Sequence, residues 1–479
     1  MNTRVDDMPN TSGLTQLVAE LKAKARADLT SSVEQRKQRI QQVIDMLVDE
    51  KQSLVEAIEA DYQGRCQPFS TMTDILGCLA SLKYTRDNLY KWVEPRDKEM
   101  IAPYDQMGAK AYTMAQPKGV IGILGTWNYP LFTVLSPLAC VLGAGNRAVL
   151  KVSVATPRTA QALAAAVKKH LDSDVVEVVT GDSQVSREFT SQAWDHLVFT
   201  GGIETGKKIM ASAAQNLVPV TLELGGKSPA IISQSADIKE AARRLAIAKG
   251  TNSGQICVCP DTVYVPESAR QEFIDAFMSS YQQLYPTVTN NGDVVPVIND
   301  ANVDRIQAYI SELNDMNVAI YHSHDVVEYN DKRLPMTIAV NPPADAKVSQ
   351  EEIFGPMLVL NTYNTIEQVV STLQQQAKPL ALYYYGDDAM EKQYVLLNTT
   401  SGGVTVNDAM LHPALHDAPF GGVGESGIGH YHGEDGFWEF SHKRTVFEAP
   451  AYDFRADYGL LPPYNDNFAA MMDAQVSKD

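Results

Sequence analysis

The 479-residue chain has 44% hydrophobic and 20% charged residues, proportions that exclude disorder, a collagen-like repeat or a coiled coil as its main theme. Forty basic against 58 acidic residues give a net charge of −18, which repels nucleic acid and anionic lipid and points to a small-molecule partner. The length exceeds what one compact core organises, so two or three structural units are expected.

The N-terminus, MNTRVDDMPNTSGL, carries acids where a signal peptide needs a basic start and an apolar block. Residues up to about 90 read as helices, with Leu14, Leu17, Val18 and Leu21, then Ile40, Val43, Ile44 and Leu47, at helical spacing. Residues 119–146 are uncharged, but repeated Gly, Asn and Pro would leave a lipid-exposed helix with unsatisfied backbone, so strand, loop and buried helix are expected instead. Strand candidates then alternate with helices: 119–124, 147–151, 175–179, 196–199 and 218–222, separated by helices such as 157–171 and 205–214. Such alternation makes a parallel sheet covered on both faces. A second series follows, with a helix at 237–249, a strand at 262–266, a helix at 268–283 and strands near 317–321 and 357–362. Two α/β domains with a boundary near 222 are therefore expected. Residues 95–116 and the tail after 440 fit neither series and are candidates for strands that pair across a subunit interface. Five cysteines, an odd and sparse set, argue against a disulfide framework and for a reducing, cytoplasmic setting.

Cys257 sits in NSGQICVC after a helix and a glycine-containing loop, where free backbone N–H groups lower a thiol pKa and prepare a nucleophile. A small buried hydrophobe is the competing reading, and Cys259 two residues on is a bystander or a resolving thiol. Glu223, in TLELGGKSP, leaves an apolar strand for a Gly-Gly turn; it reads equally as a general base for water or as an acceptor that tidies the turn. Asn128, in GTWNYP, offers an amide to a developing oxyanion, or caps a helix. For a cofactor, FTGGIETGKK (199–208) resembles a phosphate-approach turn at a helix N-terminus, a weak signal when taken alone. Lys151 at a strand end reaches toward ribose or phosphate, or is a surface lysine. The histidine pairs 322/324, 412/416 and 430/432 lack the companions of a metal site, so no metal is expected, and no GxSxG elbow is present.

Together, ELGGKSP (223–229), NSGQICV (252–258), EEIFGP (351–356) and PFGGVGESGIG (419–429) resemble the aldehyde dehydrogenase superfamily in order and spacing, over residues from about 115 to 446. The SHKRTV and GHYHG segments and the short N-terminal lead are most similar to the class 3 and coniferyl aldehyde branch. The resemblance implies two Rossmann-like α/β domains with parallel sheets and a small β oligomerisation arm: 1–94 and 117–222 for NAD(P) binding, 223–418 for catalysis, 95–116 and 436–479 for the arm and tail. It implies a homodimer that oxidises a medium-chain or aromatic aldehyde to the acid with NAD or NADP, through Cys257 as nucleophile, Glu223 as base and Asn128 as oxyanion donor. By the same resemblance Lys151, Gly201, Gly206, Glu352 and Phe354 hold the cofactor and Tyr129 lines the aldehyde funnel. Departures are Val154, where a carboxylate that repels a 2′-phosphate is usual, which leaves NADP acceptance open, and Gly202, where serine is usual, which removes one possible pyrophosphate donor. Alternatives are a dehydrogenase that passes its thioester to coenzyme A, disfavoured by Glu223, and a silent binding protein on the same fold.

Overall fold

A computed structural model describes residues 11–29, 31–325, 331–457, 459–476 and 478. The first ten residues of the acidic N-terminus, and with them the start of the expected 1–94 segment, lie outside the described residues. The strands in chain order are β1 (Arg96–Asp97), β2 (Lys110–Pro117), β3 (Val120–Leu124), β4 (Arg147–Lys151), β5 (Val176–Val178), β6 (His196–Thr200) and β7 (Val220–Glu223). β8 (Pro229–Ile232), β9 (Thr262–Pro266), β10 (Ala319–His322), β11 (Thr337–Val340), β12 (Met357–Tyr363), β13 (Ala381–Tyr385) and β14 (Gly403–Val406) follow. β15 (Gly427–Ile428) and β16 (Ser441–Glu448) complete the set.

They form a six-stranded sheet ordered β15-β7-β6-β3-β4-β5, a seven-stranded sheet ordered β10-β11-β12-β9-β8-β13-β14 and a three-stranded sheet ordered β1-β2-β16. In the first, β3 pairs in parallel with both β4 and β6, so the winding reverses between β3 and β6. In the second, β9 pairs in parallel with β8 and β12. Every residue of β3, β4, β6 and β9 is buried, as expected of parallel strands with helices on both faces. The architecture is α/β, as the alternation implied.

The chain divides into two units: residues up to Trp92 with Pro117–Ser441, and Val93–Gln116 with His442–Asp479. The second unit carries the three-stranded sheet. Its two segments pair with each other inside one chain, whereas the sequence left them as candidates for pairing across subunits. Its C-terminal part begins at His442, later than the expected 436, because the helix Gly433–Glu439 packs against the helices Phe132–Gly143 and Gly77–Trp92 of the larger unit. β15 also returns to the first sheet, antiparallel to β7, beyond the segment read as catalytic.

The uncharged stretch resolves into β3, a loop and the helix Phe132–Gly143, twelve residues with Pro137 inside. No helix among the described residues is long and apolar enough to cross a membrane. Around it pack the N-terminal helices Val33–Asp49 and Gly77–Trp92. Val33–Asp49 starts at a capping box in which Gln35 N donates to Ser32 Oγ (3.2 Å) and Ser32 N to Gln35 Oε1 (2.8 Å).

Candidate active site

The C-terminal edge of the first sheet faces the N-terminal edge of the second across a cavity of about 620 Å³. Loops after β3 (Thr126, Trp127, Asn128, Tyr129), at the end of β6 (Thr200, Gly201, Gly202) and after β7 (Glu223, Gly225) form one side. Segments before β9 (Ile256, Cys257, Val258) and before β12 (Glu351, Glu352, Phe354) form the other. The crevice between the loops after β3 and β6 is the topological switch point, where doubly wound sheets take nucleotides.

Cys257, Glu223, Asn128, Tyr129, Gly201, Glu352 and Phe354 therefore meet in one cavity. Lys151 and Gly206 do not line it. Lys151 is 1% exposed, and its ammonium donates to Val152 O (2.9 Å) and Gly181 O (3.1 Å), joining the ends of β4 and β5. Burial lowers its pKa to about 8, opposed by Asp182. At Gly206 a Cβ would press on the Leu224 side chain, so the glycine is required for close packing of the helix Ile203–Ala214 on the sheet.

Cys257 follows a turn in which Asn252 (φ 49°), Ser253 (φ 52°) and Gly254 (φ 73°) are successively left-handed. Such strain persists only where the surroundings over-determine it. Ser253 Oγ donates to Val295 O (2.5 Å), and the Gln255 amide donates to Asn252 O (2.9 Å) and Pro296 O (3.1 Å) while accepting from Ile298 N (3.1 Å). The N–H groups act in the expected direction, but the net shift of the thiol is upward, contrary to the sequence expectation. Burial pushes Cys257 up to about 12, Glu352 and Glu223 add to the shift, and the backbone N–H groups of Cys257 and Val258 offset only part of it.

Glu223, at the end of β7, is 2% exposed with no hydrogen-bond partner on either carboxylate oxygen, and burial, then Glu439, raises its pKa well above the ordinary value. Burial, then Asp261, pushes Glu352 up to about 8, against the Gly226 N–H, Lys227 and Lys249. A Cβ on Gly225 would overlap the Glu352 carboxyl, so only glycine lets that group into the cavity here. Asn128 donates through Nδ2 to Gln255 O (3.1 Å), which leaves the second N–H of the amide free; its Oδ1 has no partner.

Two ion pairs, one fully buried and one with its lysine partly exposed, were unread in the sequence and position these groups. Asp74 lies in a π-helical turn, Thr71–Leu76; its carboxylate bonds Arg65 (2.7 Å) and accepts from Leu131 N (3.1 Å) and Phe132 N (3.3 Å). Arg65 in turn donates to Asn128 O (2.7 Å) and faces the Tyr129 ring at 5.2 Å, so the pair clamps the loop that carries both residues. Lys227, inside ELGGKSP, pairs with Asp261 and donates to Val348 O (2.6 Å) and Glu351 O (3.1 Å), while Asp261 accepts from Ile353 N (2.7 Å). These bonds bracket Glu352. The only hint for Arg65 and Asp74 was a charge on an otherwise amphipathic helical stretch.

The residues present suit a nicotinamide dinucleotide: a switch-point crevice, a glycine turn ahead of a helix, the buried unpartnered Thr200 Oγ1, and Glu352 and Phe354 opposite. Among the described residues no cluster of three His, Cys, Asp or Glu is arranged to hold a metal ion. Two largely parallel sheets sharing such a cavity, with a thiol between them, fit a nucleotide-dependent oxidoreductase. A family model described as "Aldehyde dehydrogenase family" matches residues 14–446, and the chain belongs to that family.

A "Probable coniferyl aldehyde dehydrogenase" of Caulobacter vibrioides is 39% identical over 462 residues, 95% of each chain. The "Coniferyl aldehyde dehydrogenase" of Pseudomonas sp. strain HR199 is 37% identical over 475 residues, 98% of each. The substrate-bound state of Staphylococcus aureus AldH superposes with a TM-score of 0.89 at 29% identity, covering 96% of this chain and 99% of that one.

Asp74→Ala leaves the Arg65 guanidinium buried and unpaired, and is expected to cost about 3–5 kcal/mol in urea unfolding. The apolar double variant Arg65→Met/Asp74→Leu removes the unpaired charge but leaves Asn128 O and the amides of Leu131 and Phe132 without partners, so it should regain only part of that loss, whereas full recovery would show that the pair is not the clamp. Alkylation of Cys257 by iodoacetamide, followed by mass spectrometry, should be slow at pH 7 and still climbing at pH 10, because a raised thiol pKa keeps the thiolate scarce until high pH. Fast alkylation independent of pH between 6 and 9 would contradict the raised value.

Proposed function

We propose that Cys257, Glu223 and Asn128 carry out the oxidation of an aromatic or medium-chain aldehyde to its carboxylic acid, with NAD or NADP as oxidant. The observation that carries this reading is their convergence on one cavity beside a switch-point crevice. The names of the coniferyl aldehyde dehydrogenase relatives support the aromatic class, and so does the aromatic lining (Trp127, Tyr129, Phe132, Phe354, Phe420).

When bound, the oxidised nicotinamide accepts the aldehydic hydrogen with its electron pair and brings a positive charge to the cavity. Gly201, Thr200, Glu352 and Phe354 would hold it. Cys257 Sγ, on losing its proton, bonds to the carbonyl carbon, and the Asn128 amide with the Cys257 N–H holds the oxygen that gains negative charge. After oxidation the acyl group remains on Cys257 as a thioester. Glu223 accepts a proton from water, the water oxygen bonds to the acyl carbon, the C–S bond breaks, and the acid leaves as Cys257 regains a proton. Glu223 is held neutral by burial in the free protein and becomes a base only once it ionises, so deacylation should quicken with rising pH. A carboxyl lining the cavity also favours hydrolysis over transfer to coenzyme A.

The homodimer belongs to the same proposal. β16 is an edge strand of eight mostly exposed residues, with Phe447 46% exposed, and such an edge is a template for pairing with another chain. All five cysteines are free thiols, which supports a cytoplasmic setting.

Reduced-nicotinamide absorbance with aliphatic and aromatic aldehydes should show turnover that rises with pH. Glu223→Gln should lower the steady-state rate about 100-fold or more, keep the first-turnover burst and flatten the pH profile; an unchanged steady state would assign the base elsewhere. Val154 is exposed in the turn after β4, and Val154→Glu should raise the NAD/NADP ratio of kcat/KM. An unaltered ratio would remove position 154 from cofactor choice.

A further inference from the structure

Phe354 lines the cavity from a backbone conformation that it does not favour. Its φ of 46° lies in the left-handed region, which a bulky residue adopts only where its surroundings compel it. The ring meets Trp127 edge-on at 5.2 Å, so this conformation decides where the ring stands in the cavity. The next residue cannot absorb a rearrangement, because Gly355 is packed so closely that a Cβ there would press on Ile306. The hold on Phe354 comes from outside the turn.

Arg305, on the helix Asp300–Asp315, supplies it. Among the described residues it is the only lysine or arginine lining the cavity, and the chemistry above does not use it. Its Nη1 donates to Ile353 O (2.6 Å) and its Nη2, more weakly, to Phe354 O (3.4 Å). These carbonyls belong to the two peptide planes that meet at Phe354 Cα, and φ and ψ there are the rotations of those planes. A guanidinium is a rigid planar fork, so one side chain sets both planes relative to each other. The fork is itself braced by Asn302 Oδ1 (3.1 Å) and Tyr309 OH (3.4 Å), and it faces the Tyr309 ring at 5.5 Å. Tyr309 OH donates in turn to Glu351 Oε2 (2.6 Å), so the same helix face also grips the start of EEIFGP. On the far side Ile353 N donates to Asp261 (2.7 Å). All four acceptors of Arg305 are neutral oxygens, a pattern that geometry explains and charge pairing does not.

We propose that Arg305 is a positioning residue for the nicotinamide end of the cofactor, acting by holding Phe354 in its left-handed conformation. The proposal rests on the reading of this cavity as a dinucleotide site with Phe354 beside the nicotinamide. Without the fork, Phe354 relaxes to negative φ and its ring leaves Trp127. Only the part of the dinucleotide beside that ring then loses its contact. The adenosine and the phosphates, held at the switch-point crevice of the first sheet, keep theirs.

The test is calorimetric titration of the full chain with NAD and with ADP-ribose, which lacks the nicotinamide ring. If the wild-type chain binds NADP more tightly, NADP and the 2′-phosphate of ADP-ribose take their place. Arg305→Met should raise the Kd of the dinucleotide about fivefold or more and leave that of the fragment within about twofold. Arg305→Lys keeps the charge but holds at most one of the two carbonyls, so it should show the same split. The lysine variant retains the long stem and the cation, and it tests the proposal even if the methionine variant does not fold. Unchanged dinucleotide affinity, equal loss for dinucleotide and fragment, or wild-type affinity in the lysine variant each overturns the proposal while cofactor binding stands. Equal loss would place Arg305 on the phosphates or riboses, and rescue by lysine would show that charge alone acts. Failure of the wild-type chain to bind either dinucleotide overturns the reading of the crevice, and the proposal with it.

Discussion

Placing Glu223, Glu352 and the Cys257 thiol around one cavity makes each of them cheaper to keep neutral than charged, because burial is the largest influence on all three. Their negative forms would also repel one another, so ionising one makes ionising the next harder. On the proposed roles, the free protein thus holds a dormant nucleophile and a dormant base. A positive charge entering the cavity favours every one of the ionised forms. An oxidised nicotinamide would bring such a charge, so in the proposed mechanism filling the crevice and activating Cys257 would be one event. The same desolvation strengthens the free Asn128 N–H as an oxyanion donor, since hydrogen bonds to charge gain strength as the surroundings lose polarity.

Two ion pairs beside the cavity do mechanical work on the loops around it. Arg65 and Asp74 are both fully buried, and between them they bond the carbonyl of Asn128 and the amides of Leu131 and Phe132. Lys227 and Asp261 tie the turn after β7 to the segment that presents Glu352. PFGGVGESGIG joins the same turn: Leu224 N donates to Ser426 O at 3.0 Å, and Gly427 pairs with Glu223. Segments far apart in the chain are in this way one hydrogen-bonded frame, which explains why the motifs occur together and why each looks weak in isolation.

The sequence made the alternation of the first sheet legible because β3, β4 and β6 are buried on both faces and read as unbroken apolar runs. β9 was legible for the same reason. β8, β11 and β14 were not; each is four residues long, too short for a period to show, and β8 opens on a proline. β13 (ALYYY) has five buried residues between turn signals, Pro379 before it and Gly386-Asp387 after it, and was nonetheless missed. Cys257, Glu223 and Asn128 were legible as side chains of the right type at strand and turn ends, and their convergence was not, since it depends on two sheets meeting edge to edge. The thiol shift was misread because free N–H groups at a turn are visible in a sequence, whereas desolvation by distant segments is not. Lys151 and Gly206 were located correctly on their strand and helix, but their side-chain environments, two carbonyls for one and Leu224 for the other, come from tertiary packing. Arg65–Asp74 was invisible for that reason too: its purpose lies at residues 128–132.

The two specificities of the cavity draw on different segments that meet in one loop. The crevice at the switch point and the turn after β4, with Lys151 and Val154, belong to the first sheet. The aromatic and imidazole walls come from segments after β14, from Met410 to His432, together with Trp127, Tyr129 and Phe132 after β3. The loop after β3 therefore serves both regions, as does the centre where Cys257, Glu223 and Asn128 meet. The bonds from Leu224 N to Ser426 O and between Gly427 and Glu223 also tie the aldehyde walls to the turn after β7. On the proposed roles, a change at position 154 would act on dinucleotide choice alone, whereas a change in the loop after β3 would act on both specificities, through shape as well as through the charge state of the centre.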